Sequence, residues 1–122
     1  MIRAVLPTLL LVLPCLAAAA AEGRAVFEAR CASCHATAAG APAGPGPNLA
    51  GLLGRRIAGD PAFDYSPALQ EAREAGGVWD AAALERFLAD PEEALPGNWM
   101  GANGLRAEAD RLAVVGYLRS VR

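Results

Sequence analysis

Cys31-Ala32-Ser33-Cys34-His35 is the stretch from which the rest of this chain is read. Two thiols separated by two residues, followed at once by the single histidine, form the pattern of covalent haem attachment. The chemistry demands that spacing. Each thiol adds to one vinyl group on the same edge of a porphyrin, so the sulfurs must lie about one helical turn apart. His35 is then carried to the proximal side of the iron, where its imidazole can bind. Other uses of these residues compete. A thioredoxin-like Cys-x-x-Cys belongs beside a parallel βαβ unit, and no alternating β-branched run supplies one. A zinc site lacks its fourth ligand. A plain disulfide with His35 on the surface is the third rival.

The chain opens Met1-Ile2-Arg3, runs without charge from Ala4 to Ala21 and ends that run in alanines. A basic start, an apolar middle and a small-residue exit read as a signal peptide over residues 1–21, cleaved after Ala21 with Ala19 completing the Ala-x-Ala pattern. An uncleaved membrane anchor is the rival, since the run could just span a bilayer. Pro7 and Pro14 weigh against it. Cleavage removes Cys15 and leaves the pair Cys31 and Cys34. The expected location is the periplasm, and residues 22–122 form one domain.

A domain of that size buries only about two-thirds of its unfolded surface. A haem fastened by two thioethers would add a large apolar plug to its core. Thirteen acidic against eleven basic residues give a net charge of −2, and every basic side chain is arginine. With no basic stripe, nucleic-acid binding is excluded as an expectation.

Hydrophobic periodicity predicts an all-α fold of about four short helices. The first spans Gly23 to Cys34, with Val26, Phe27, Cys31 and Cys34 near one face. Gly- and Pro-rich loop follows from Ala36 to Gly46. Ser66 caps a second helix with Pro67 in its first position, and Gly76-Gly77 ends it. Asp80 caps a third, with Leu84, Phe87 and Leu88 inward and Pro91 as terminator. The last covers roughly Arg106 to Val121, with Leu112, Val115 and Leu118 on one face and Val114, Tyr117 and Val121 beside it.

Haem iron held by one histidine needs a second axial ligand, and a thioether is one of few side chains that supplies it. Beyond the leader the chain has one methionine, Met100, in the loop Leu95-Pro96-Gly97-Asn98-Trp99-Met100. Two structure-breakers make that loop an odd place for a core methionine, so Met100 is the expected sixth ligand.

Together these residues resemble the class I cytochromes c, mono-haem and of bacterial type, over nearly all of Gly23 to Arg122. Cys31-x-x-Cys34-His35 matches the attachment site, Gly46-Pro47-Asn48-Leu49 the segment after it, Tyr65-Ser66-Pro67-Ala68-Leu69 a tyrosine-containing segment, Val78-Trp79 the single buried tryptophan, and Pro96-Gly97-x-x-Met100 the methionine loop. The resemblance implies one covalent haem c, a fold wrapped around it, and first and last helices crossing where Gly23 and Phe27 meet Tyr117 and Leu118. It further implies that the Pro47 carbonyl accepts from His35 Nδ1–H, and that Arg55, Tyr65 and Trp79 donate to a haem propionate. The chain departs from the family at Phe87, where many members have tyrosine, at Gly101-Ala102, where a bulky aromatic often follows the ligand, and at Glu92-Glu93, where mitochondrial relatives carry docking lysines. Arg30 and Arg106 keep basic charge nearby.

The function implied is one-electron transfer, not enzymatic catalysis, between membrane-bound donor and acceptor complexes of respiration or photosynthesis. No small-molecule substrate and a monomeric state are expected. A ligand-binding or peroxidatic haem domain with a labile Met100, or a haem subunit of a larger oxidoreductase complex, are the alternatives.

Overall fold

The structure, a computed structural model, describes residues 14–122. Residues 1–13 of the expected signal peptide lie outside the described residues.

Five helices appear among the described residues: α1 (Pro14–Arg30), α2 (Pro67–Glu74), α3 (Ala81–Ala89), α4 (Pro91–Ala94) and α5 (Glu108–Ser120). No described helix is long and apolar enough to cross a membrane. Among the described residues the β-structure is limited to one isolated antiparallel bridge, Arg56 to Val78, so the class is all-α as expected.

α1 starts earlier and ends sooner than periodicity indicates. Alanine is the strongest helix former, and the run through Ala21 extends the helix backward. Ala18 to Glu22 are nonetheless exposed, and packing begins only at Gly23. A cut after Ala21 falls inside α1, within that exposed stretch and ahead of the buried Gly23. At the other end, Arg30 is the last helical residue, and Cys31 to Cys34 form a separate turn.

α2 and α3 follow their caps. Ser66 Oγ accepts from the Leu69 N–H, and Asp80 Oδ1 accepts from the Ala83 N–H. Gly76, at φ +82°, takes the left-handed conformation that stops α2. Pro91 ends α3 as expected, but it also opens α4. Asp90 closes α3 and caps α4, its Oδ1 accepting from the Glu93 N–H, and Pro91 sits where a helix needs no N–H.

α1 and α5 cross at Gly23. A Cβ there would overlap the Ala113 carbonyl oxygen and come within 2.9 Å of Tyr117 Cβ, so glycine is what allows the approach. Phe27 and Tyr117 stack beside the crossing with ring centroids 5.3 Å apart. The buried stripe of α5 is Val114, Val115 and Leu118, whereas Leu112 is 56% exposed. The expected face is therefore rotated. Arg111 takes the inward position one turn before Val114 and Val115, where it meets Glu85 of α3 at 3.1 Å.

Candidate haem site

The attachment turn is organised by the last turn of α1. The Cys31 and Ala32 N–H groups both donate to the Phe27 carbonyl, at 2.8 and 3.0 Å, and the His35 N–H donates to Cys31 O at 3.0 Å. Cys31 is half-buried against the core, Cys34 is exposed, and both are free thiols. Burial pushes the Cys31 thiol above its ordinary range, partly offset by Arg30.

His35 is fixed from two sides. Its Nδ1 lies 2.8 Å from the Pro47 carbonyl, a contact that places the ring proton on Nδ1 and leaves the Nε2 lone pair free. Behind the ring is Gly46, where a Cβ would come within 2.7 Å of Nδ1 and 2.9 Å of Nε2, so no other residue leaves room for the imidazole. Burial holds the histidine below its usual pKa, although the Pro47 contact works the other way. A neutral imidazole with one free nitrogen is the form that binds a metal.

Asn48 continues this wall. It is 9% exposed, and its side chain is fully used: Nδ2 donates to the Ala38 and Ala41 carbonyls at 2.7 and 3.0 Å, while Oδ1 accepts from the Ala50 N–H at 2.8 Å. Its carbonyl accepts from both terminal nitrogens of Arg55, each at 3.1 Å. Arg55 is joined to Trp79 through main-chain bonds, with the Trp79 N–H on Arg55 O at 2.9 Å and the Gly54 N–H on Trp79 O at 2.8 Å. Trp79 and Tyr65 are buried at 7% each. The Tyr65 oxygen accepts from the Asp60 N–H at 3.2 Å, and burial keeps its phenol protonated, so its own O–H remains a donor.

One atom in this wall has no protein partner: Arg55 Nε is buried and unbonded. A buried cationic donor left unpaired is costly. An orphan of this kind fits an anion supplied from outside the polypeptide, and a haem carboxylate is such a group. Two thiols in the right turn, a free imidazole nitrogen and an arginine awaiting an anion together fit a covalently held haem.

Met100, the expected second ligand, lies on a separate loop. Asn98 braces that loop, its Nδ2 donating to the Pro91 and Leu95 carbonyls at 2.9 and 3.0 Å and its Oδ1 accepting from the Met100 N–H at 3.0 Å. The Met100 side chain is 38% exposed, outside the packed core. Behind the loop, Asp90, Glu92, Ala102 and Arg106 line a cavity of about 300 Å³.

Gly46, Asn48 and Asn98 brace these loops although none of them is a ligand residue in the sequence pattern. Asn beside Pro or Gly in a loop is a known sign of a side chain bonding its own backbone, and that was the available signal.

A family model described as cytochrome c matches residues 20–122. The chain is 39% identical over 98 residues to cytochrome c2 of Agrobacterium tumefaciens (strain II Chrys), covering 80% of this chain and 87% of that protein. It is 42% identical over 95 residues to cytochrome c2 iso-1 of Magnetospirillum molischianum, covering 76% and 91%. With cytochrome c of Euglena viridis the identity is 33% over 103 residues, covering 84% and 97%. By fold, site chemistry and these relatives, the chain belongs to the cytochrome c family and is a haem electron carrier with a covalently bound c-type haem.

Proposed function

We propose that this chain is exported to the periplasm, loses residues 1–21, and shuttles single electrons between a membrane-bound donor and an acceptor complex. Cys31 and Cys34 would hold the haem through thioethers, and His35 and Met100 would bind its iron. When bound, the haem supplies a metal that changes oxidation state by one electron.

The chain's own residues set the conditions for that exchange. The Pro47 carbonyl fixes the His35 tautomer and makes its free nitrogen a stronger donor. The Met100 thioether favours the reduced metal and raises the potential. Arg55, Tyr65 and Trp79 hold a propionate, Arg55 through its unpaired Nε. With both axial positions filled from the chain, no open coordination site remains for a substrate. The placement of the first buried residue of α1 at Gly23 supports a mature domain that begins close to Glu22.

The observation that carries this reading is the 2.8 Å contact between His35 Nδ1 and the Pro47 carbonyl, at the residue that directly follows the turn bearing Cys31 and Cys34. Its test is the protein matured in a periplasm with a haem-ligation system, followed by intact mass and absorption spectra of both redox states. Mature polypeptide plus one haem, with the long-wavelength charge-transfer band of a methionine-bound ferric haem, is expected. Absence of that band together with ready carbon monoxide binding would replace the carrier with a ligand-binding haem domain. An exported chain that weighs only its amino acids ends both readings.

A further inference from the structure

We propose that Trp99, with the acidic turn of α4 beside it, is a docking surface for a redox partner whose contact face presents an arginine or lysine in an apolar rim. This rests on the electron-carrier reading and names the chemistry of the partner it leaves open.

Trp99 is 64% exposed, the most exposed of the large apolar side chains described, in the residue just before Met100. It is not on a slack loop. Gly97 N–H donates to Glu92 Oε1 at 3.1 Å, Asn98 N–H donates to Leu95 O at 3.1 Å, and the Asn98 side chain clamps the chain on both sides of the indole. The loop therefore presents the ring at little further cost in order. An indole is the best aromatic acceptor for a cation, and such a contact strengthens as water is removed.

Charge points to the same partner. Asp90, Glu92 and Glu93 fall within the turn that leads into this loop, and Glu92 and Glu93 are exposed. Arg106, which lines the same cavity as Asp90 and Glu92, offsets only one of the three. A ring face beside a net negative turn attracts a basic side chain and repels an acidic one. An apolar rim around that cation would cover the rest of the indole, as aromatic anchors at interfaces require.

The test uses the reduced holo-protein and two one-electron oxidants: tris(phenanthroline)cobalt(III), cationic and aromatic, and hexacyanoferrate(III), anionic. In each reaction the protein gives up one electron and the metal complex takes it, cobalt(III) going to cobalt(II) or iron(III) to iron(II). Trp99→Ala should slow the cobalt reaction about two- to fivefold, the size of an exposed cation–π contact, and leave the ferricyanide reaction unslowed. Glu93→Gln should slow the cobalt reaction at low salt and lose its effect at high salt. Glu28→Gln is the control for net charge, because Glu28 lies on α1, which packs against α5 and not α4. A redox-inert chromium(III) analogue should broaden the Trp99 indole resonance and spare that of Trp79.

Equal effects of Glu28→Gln and Glu93→Gln, an unbroadened Trp99, or faster reaction with the anion in a Trp99-dependent way would each overturn the docking surface. Concentration-dependent self-association abolished by Trp99→Ala would instead assign the face to a second copy of the chain, which also overturns it. A protein that exchanges electrons with neither oxidant marks failure of the carrier reading, whereas selective broadening of Trp99 is measured independently of turnover.

Discussion

Arg55 places both terminal nitrogens of its guanidinium on one acceptor, the main-chain carbonyl of Asn48, while its buried Nε bonds to nothing in the described chain. The preceding carbonyl, that of Pro47, accepts from His35. Two consecutive carbonyls thus orient a metal-binding imidazole and a buried cation, and the segment that carries them is pinned by the side chain of Asn48. His35 and Arg55 are held by two adjoining peptide units.

Replacing Arg55 tests what its Nε is for. Without that donor a buried haem carboxylate has its pKa raised toward neutrality. Deprotonation favours the oxidised state, so the midpoint potential of Arg55→Leu should fall as pH rises through the shifted pKa, by up to about 59 mV per pH unit. The parent protein should be flatter over the same interval. Arg55→Lys, which keeps the charge but not the fork, should lie between them. Potentiometric titration at several pH values is the measurement, and identical profiles for parent and Arg55→Leu would remove the carboxylate contact from the account.

Asn48→Ala should be among the most damaging single changes outside the haem ligands. It removes three part-buried hydrogen bonds, those to the Ala38 and Ala41 carbonyls and that from the Ala50 N–H, a loss of about 2–4 kcal/mol at roughly 0.5–1.5 per bond. Asn48→Asp keeps the acceptor but buries a charge. That carboxyl has its pKa raised in the folded state, so it costs little below the unfolded value and progressively more as pH rises above it. Denaturant unfolding of the holo-protein at about pH 4.5 and pH 7 should show Asn48→Asp recovering on acidification and Asn48→Ala unchanged.

Two glycines in the crossing helices should respond in opposite directions to alanine. Gly23→Ala gains about 1 kcal/mol of helix propensity but drives its methyl into the Ala113 carbonyl, and forcing α1 from α5 costs about 1–3 kcal/mol or more. Gly116, in α5, has open space where its Cβ would be, so Gly116→Ala should raise stability by about 0.5–1 kcal/mol. Thermal melts of the two variants beside the parent decide it. A shared sign would mean that the crossing is not set by close approach at Gly23.

These comparisons show where the chain could be read in advance. α2 and α3 were legible because Ser66 and Asp80 announce themselves within three residues of the N–H they cap. The attachment turn was legible because its chemistry tolerates few substitutes, whereas the Pro47 carbonyl, an acceptor any residue could offer, came only with the family resemblance. α4 was hidden, since a proline inside an apolar pattern reads as an end, and only the geometry shows Asp90 serving two helices. Leu112 was misplaced because the periodic stripe can be drawn through either neighbour, and the choice is made by Arg111 reaching Glu85, twenty-six residues away in the chain. Gly104 carried no signal at all. A Cβ there would come within 2.8 Å of the Leu88 carbonyl oxygen and overlap that of Ala89, so its requirement exists only once the loop lies against α3.

Met100→Ala separates the ligand's chemistry from its packing. Met100 is outside the core that the polypeptide packs for itself, so in the holo-protein its side chain would have the haem as its main neighbour. The Asn98 brace grips only the main chain of residue 100, so the loop should stay in place. A fall in the denaturation midpoint of the holo-protein therefore measures the lost bond to the metal together with the thioether's contacts with the haem. The thioethers should remain, giving unchanged mass apart from the substitution, while the potential drops and carbon monoxide binds the reduced protein. Met100→Ala with the parent's spectrum, potential and indifference to carbon monoxide would show that another group caps the haem.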